Sequence, residues 1–491
     1  MNSQRKVLAL AAAIVISVAN IAALAQQPLD RTKIPTPGNT PVLRVPTWTK
    51  TQLANGATLI VSERHNLPLV SFDITFVGGG NQFEPAGKRG IATFTQSMMS
   101  EGTTTKTGDQ LSDAMQLLGT GIGVGVSGEE GSISFVSTKK NFDAALGLLA
   151  DMMLNSTFPS EALERLRART LVNLTQAKDQ PNAIGSQVFA KVLYGDAHPY
   201  GQRMTEASAK AITRDDVIAF HKAYFQPGRA IITVVGDVTP SNAKASVEKA
   251  LAAWTRAGDK PAFTYPKLPE LQPAKIYLVD KPGAAQSVIN IGLPGPSRNT
   301  PDYFALQVLN TILGGMFQSR LNANIREQKG YSYGVSSNFS YGKGPGAFRA
   351  GGAIVSNKTD LALIEFMKEL KGIVGDKPIT DEEITTAKES LIQSLPQRFA
   401  SVNAINNSIT SLTVQGLPDD YYQTYAKNVS AVTKEDLLRV AKRYIDLNHL
   451  YIVIVGNRAE IEAGLKATNI APITYIDVEG NPAAPAAPSS N

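Results

Sequence analysis

The chain contains no cysteine. That one absence excludes disulfide stapling, thiolate metal ligation and a Cys nucleophile together. Histidine is nearly as scarce: the four are His65, His198, His221 and His449. None stands at a metal-binding spacing from another His or from an Asp or Glu partner. The Gly-rich stretch Gly128-Glu129-Glu130-Gly131 is followed by no G-K-[ST], which favours a hairpin over a phosphate loop. Charge lacks clustering too: the net +6 comes from Lys and Arg scattered among Asp and Glu, without the basic block that nucleic-acid binding requires. Past the N-terminal segment, no run is long and apolar enough to span a bilayer.

What remains is an ordinary globular composition, 43% hydrophobic and 18% charged over 491 residues, enough for several domains at roughly 150 residues each. Residues 1–25 read as a secretory signal. Arg5 and Lys6 precede an apolar run from Val7 to Ala22, broken by Ser17 and Asn20, and Ala23-Leu24-Ala25 forms an A-x-A cleavage site. Export to the periplasm or another oxidising compartment fits a chain that uses no disulfides, and membrane attachment would follow only if this segment stayed uncleaved. Residues 26–45, with Pro28, Pro35, Pro37 and Pro41, form an extended lead-in.

From about residue 46 the periodicities become regular. Asn55-Gly56 between two strand-like runs predicts a hairpin, and Leu69 to Val77 a further strand. A helix is expected through Gly90 to Thr103, then another from Ser112 to Leu118. Strands Gly121 to Val126 and Ser132 to Ser137 flank the Gly-rich turn, and amphipathic helices run from Phe142 to Leu154 and from Glu161 to Ala177. Thr213 with Asp216 caps a helix reaching Tyr224, before the buried strand Ala230 to Val235. Glu101, Glu129 and Glu130 are expected to be solvated, and His198 and His221 to be structural.

The second half repeats the first. Asp216 to Tyr224 leading into Ile231 to Gly236 is echoed by Asp436 to Tyr444 leading into Tyr451 to Gly456. The helix pair 142–177 has a counterpart in 361–395, where Thr380 and Glu383 make a capping box. The expected organisation is therefore a domain at 46–256, a Pro-rich linker at 257–273, a similar domain at 274–470, and a tail at 471–491 with an Ala/Pro/Ser-rich end.

On the helix after the third strand, Thr93, Gln96 and Ser97 stand at i, i+3 and i+4 and so share one face. With Gly90-Ile91-Ala92 before them and Gly102-Thr103 after, and with Leu193-Tyr194-Gly195-Asp196, His198-Pro199-Tyr200-Gly201 and Val234-Val235-Gly236-Asp237 further on, the chain from about 46 to 470 resembles the M16 family of zinc metallopeptidases, the group of pitrilysin and the mitochondrial processing peptidase. The resemblance implies an α+β fold of two homologous domains of the LuxS/metallohydrolase-like type, each a mainly antiparallel sheet packed with helices. In active members an H-x-x-E-H helix and a distant carboxylate hold zinc and activate water. Residue by residue, the ligand positions fall on Thr93 and Ser97 and the base on Gln96. The stretch Thr170 to Gln176, where the third ligand is expected, contains no carboxylate.

The best-preserved family segment lies in the second half: Gly314 to Leu321, then Ile325-Arg326-Glu327-Gln328-Lys329-Gly330-Tyr331-Ser332-Tyr333. In the family an Arg and a Tyr at this spacing meet the substrate at the scissile bond, which places those roles on Arg326 and Tyr333. The resemblance therefore implies a non-catalytic, substrate-binding subunit that binds peptides or unfolded protein, carries no cofactor of its own, and pairs with a zinc-bearing M16 subunit. A stand-alone peptide-binding or scaffold protein on the same fold is the other reading, and a peptidase with an unrecognised site a third.

Overall fold

In the computed structural model, which describes residues 43–255 and 263–483, the Asn55-Gly56 pair does turn the chain back. Gly56 sits at φ 94°, a left-handed conformation that only glycine enters without steric cost. Across it β1 (Thr49–Gln52) pairs antiparallel with β2 (Thr58–Glu63). With β3 (Leu69–Val77), β4 (Gly123–Val126), β5 (Glu130–Thr138) and β6 (Ala230–Gly236), these strands build a six-stranded sheet of order β1-β2-β6-β3-β5-β4. Only the β2–β6 pairing is parallel.

The second half forms a like sheet from β7 (Lys275–Asp280), β8 (Gln286–Pro294), β9 (Val335–Ser340), β10 (Ala347–Val355), β11 (Tyr451–Gly456) and β12 (Ile473–Ile476), in the order β12-β7-β11-β8-β10-β9. The fold is α+β with two mixed sheets packed with helices, as the resemblance implied. β12 lies beyond residue 470, where the sequence repeat ends, and adds to β7 in parallel. The signal-like residues 1–25, the lead-in as far as residue 42 and the tail from residue 484 lie outside the described residues. No helix among the described residues is long and apolar enough to cross a membrane.

Alternation along β3 decides where the first core sits. Val70, Phe72, Ile74 and Phe76 are fully buried and pack with Phe94, Met98, Leu146, Leu149 and Tyr224. The intervening Ser71, Asp73 and Thr75 are also buried, as is Thr233 of β6, so the opposite face of this sheet is covered yet polar. Its cover comes from the other half of the chain. The helix Val402–Gln415 lies on β3 and β6. There Asn406 Nδ2 donates to the carbonyl oxygens of Ser71 at 3.3 Å and Thr233 at 3.0 Å, and Thr410 Oγ1 bonds Thr233 Oγ1 at 2.8 Å.

The exchange is reciprocal. The helix Pro181–Tyr194, from the first half, lies on β8 and β11 of the second sheet. Its Ile184, Val188, Phe189 and Leu193 share a core with Val279, Val288, Tyr451, Val453 and Val455. Gly185 makes the approach possible, since a Cβ there would stand 2.7 Å from Asn290 Nδ2 and 3.2 Å from Val288 Cγ1. Each exchanged helix directly follows the helix pair that the sequence repeat identifies.

Because each sheet is finished by the opposite half, the halves should unfold together. Both tryptophans, Trp48 and Trp254, belong to the first half, so their fluorescence reports on it alone while far-UV circular dichroism reports on both. Urea titrations followed by the two signals should share one midpoint. A dichroism curve with a second step that tryptophan emission ignores would refute the coupling.

Asp73 supplies a second test. Burial pushes its carboxyl up from 3.8 to about 7, although Thr75 Oγ1 donates to it. An acid raised in the folded state holds an extra proton there between about pH 4 and pH 7. Its stabilising contribution is therefore complete below that window and lost as pH rises through it. Relative to wild type, Asp73→Asn should gain stability across this range, by up to about 4 kcal/mol, and gain no more above it. Urea midpoints for both proteins from about pH 4 to pH 8 give the comparison.

Candidate functional site

The helix carrying the predicted metal positions spans Ile91–Met98 and is held by packing. Ile91, Ala92, Phe94, Thr95 and Met98 are buried. The Glu84 carboxylate accepts from the backbone N–H groups of Gly90 and Ala92, both at 3.0 Å, which satisfies donors that the helix start would otherwise leave orphaned. On the other face Thr93 is exposed and Gln96 and Ser97 are half-buried. The Gln96 side-chain oxygen accepts from the backbone N–H of Val126 on the edge strand β4.

Zinc is bound by imidazole, thiolate or carboxylate, whereas these positions offer two hydroxyls and one amide already engaged with a strand. The helix Ser160–Ala177 packs against this one, and its Thr170 to Gln176 stretch supplies no carboxylate. The donor set does not fit the metal. Among the described residues no group of three or more His, Asp or Glu side chains is gathered tightly enough to hold a metal ion.

The histidines are held in other ways. His221 is desolvated to a pKa of about 4, and its Nε2 lies 2.9 Å from the Met153 carbonyl oxygen. His198 is buried against the rings of Tyr194, Tyr200 and Tyr265, and its Nδ1 accepts from the Tyr200 backbone N–H at 3.1 Å.

In the second half the geometry is different. Arg326 lies in a π-helical turn, Ala323–Gln328, a wider turn that recurs at functional positions in helices. The guanidinium carbon stands 4.2 Å from the centroid of the Phe317 ring and 5.3 Å from that of Tyr333, both within cation–π range. Tyr333 is 90% exposed and Phe317 61%. The structure thus brings Arg326 and Tyr333 together at the surface.

One buried amide ties their supports. Asn322 Nδ2 donates to the Phe317 carbonyl oxygen at 2.8 Å, while Asn322 Oδ1 accepts from the Val335 N–H at 3.2 Å, two residues past Tyr333. Asn324, two residues along, donates to Glu365 at 2.9 Å and Glu369 at 2.7 Å and so fixes the turn against the helix Thr359–Lys371.

Comparison with known proteins agrees with this architecture. The model described as Insulinase (Peptidase family M16) matches residues 60–198, and that described as Peptidase M16 inactive domain matches residues 211–391. The chain belongs to the M16 family. Among M16 relatives, the uncharacterized zinc protease YmxG of Bacillus subtilis is 26% identical over 352 residues, 71% of this chain and 84% of that protein. The non-peptidase homolog YmxG of Helicobacter pylori is 22% identical over 404 residues, 82% of this chain and 92% of that protein. The crystal structure of a peptidase M16 inactive domain from Pseudomonas fluorescens superposes with a TM-score of 0.76 at 25% identity, covering 83% of this chain and 98% of that one. The periplasmic protease PqqL of Escherichia coli shares the fold at a TM-score of 0.69 and 20% identity, with 85% of this chain matching 46% of that one.

One expectation from the M16-like sequence needs correction. Glu129 is not simply solvated: its carboxylate accepts from the Tyr265 hydroxyl at 2.8 Å and the Lys343 backbone N–H at 2.9 Å. It thereby clasps the β4–β5 hairpin to the linker region and to the second half. Glu101 is half-buried, in an ion pair with Arg165 at 3.0 Å.

Phe317 and Asn322 were not visible as site residues from spacing, because the first is recognised by its stack on Arg326 and the second by two hydrogen bonds across the fold. Truncating that amide tests its place. Asn322→Ala leaves a buried N–H and a carbonyl without their partner and should cost about 1–3 kcal/mol of unfolding free energy. An unchanged urea midpoint would show that water replaces the amide at no cost.

Proposed function

We propose that this chain is the non-catalytic, substrate-binding subunit of an exported M16-type zinc peptidase, paired as a heterodimer with a subunit that carries the metal and the general base. The carrying observation is the contrast within one molecule. Thr93, Gln96 and Ser97 offer no metal chemistry, while Arg326 and Tyr333 converge on the surface of the second half at 5.3 Å. A guanidinium holds a peptide carbonyl or carboxylate through its planar N–H edge, and a phenol can donate to an oxygen that gains negative charge. Both actions position and stabilise a substrate without a metal on this chain.

The names of two relatives support the first half of this reading, since one is called a non-peptidase homolog and another an inactive domain. The signal-like residues 1–25 support export, in line with the periplasmic location in the name of the Escherichia coli neighbour. On this reading the chain alone hydrolyses no peptide.

Purification through a tag on this chain from its own cells should recover a zinc-bearing M16 subunit and peptidase activity on unstructured peptides. Arg326→Ala and Tyr333→Phe in this chain should each lower the rate of the complex by about tenfold or more. An unchanged rate in both variants sinks the proposal. Peptide binding without any zinc-bearing partner in the purified material would instead support the stand-alone binding protein.

A further inference from the structure

Water should drive a phenyl ring inward, yet Phe317 keeps 61% of its surface exposed. It is not a stray loop residue, because its carbonyl oxygen is pinned by Asn322, four residues before Arg326. Its ring is the nearer of the two aromatic neighbours of the Arg326 guanidinium, at 4.2 Å against 5.3 Å for Tyr333. The rest of that guanidinium is only partly engaged. Arg326 Nε faces Glu327 Oε1 at 3.2 Å, and among the described residues no acceptor bonds either terminal nitrogen.

An arginine side chain has many rotamers and loses that freedom when a ligand fixes it. A ring that holds the guanidinium before the ligand arrives removes part of the loss. It also leaves the terminal N–H groups, which point out from the edge of the guanidinium plane, for a planar oxygen acceptor. Leucine at the same place would cover similar apolar surface but has no π face to attract a cation.

We propose that Phe317 is a positioning residue for peptide binding: its ring stacks Arg326 in place so that the terminal N–H edge meets a carbonyl or carboxylate of the bound chain. This deepens, and rests on, the reading of Arg326 as a substrate contact.

Two readouts on Phe317→Leu and Phe317→Trp test it. In the isolated ¹⁵N-labelled protein, the Arg326 Nε–H resonance, identified by its loss in Arg326→Ala, should be shifted by the aromatic ring current in wild type. It should move toward the position of an unstacked arginine in Phe317→Leu and remain ring-shifted in Phe317→Trp. In the tagged complex, with fluorescein-labelled casein as the probe, Phe317→Leu should raise KM about three- to fivefold, and Phe317→Trp should restore it to within about twofold of wild type.

If Arg326→Ala slows cleavage while Phe317→Leu changes neither KM nor the resonance, the role of Phe317 is overturned and the substrate role of Arg326 stands. A resonance shift in Phe317→Leu without a rise in KM also overturns it, since the stack would then be irrelevant to binding. If Arg326→Ala leaves cleavage intact, the substrate role of the site itself fails.

Discussion

The rest of this molecule depends on the exchange of two helices between its halves. A sheet with two buried faces needs cover on both, and neither half supplies the second cover for its own sheet. Val402–Gln415 closes the polar face of the first sheet, and Pro181–Tyr194 closes the second. The two contacts are chemically unlike. The first is written in side-chain amide and hydroxyl bonds from Asn406 and Thr410, the second in apolar packing allowed by Gly185. Polar closure is directional and fixes register, whereas apolar closure is non-directional and scales with area. Together they hold the halves in one arrangement, and Glu129 adds a clasp between the first hairpin and the second half.

The Ile91–Met98 helix has two faces with separate demands, one turned into the core and one turned outward. The residues that hold the helix, Phe94 and Met98 in the core and Glu84 at its start, do not depend on what its outer face carries. An outer face of hydroxyl and amide therefore leaves the fold intact. Gln96 even acquires a structural use, satisfying a backbone donor of the edge strand β4. Loss of metal-binding chemistry at such a helix costs the domain little, because the stability of the helix lies in the face turned inward.

The proposed substrate contacts lie in the second half, on backbone held by buried amides. Arg326 rides on a turn fixed by Asn324 against Glu365 and Glu369, while Asn322 links the backbone of Phe317 to the strand that follows Tyr333. A constellation held by buried amides presents its side chains with less freedom to lose on binding. The exposed aromatic rings beside a guanidinium form the kind of patch on which binding energy concentrates in protein interfaces.

Much of the fold was legible in the chain itself. The Asn55-Gly56 turn, the alternation in β3, the cap at Thr213 and its echo at Thr433 are local, and local geometry is set by neighbouring residues alone. Arg326 and Tyr333, like the positions Thr93, Gln96 and Ser97, were singled out through the family resemblance of their segments, and the fold sets the Arg326 guanidinium 5.3 Å from the Tyr333 ring. The exchanged helices were not legible. Asn406, Ser408 and Thr410 are buried polar residues that blur the apolar period of their helix, and the burial of Asn406 and Thr410 makes sense only against Ser71 and Thr233 of the opposite half. Nor were Phe317, Asn322 and Glu129 as contacts, since each acts on a residue brought near by folding. The sequence by itself determined which segments become strands and helices and which chemistry each can carry. Only the tertiary structure decided which half covers which sheet and which side chains meet, because those contacts join residues far apart in the chain, and no local periodicity records them.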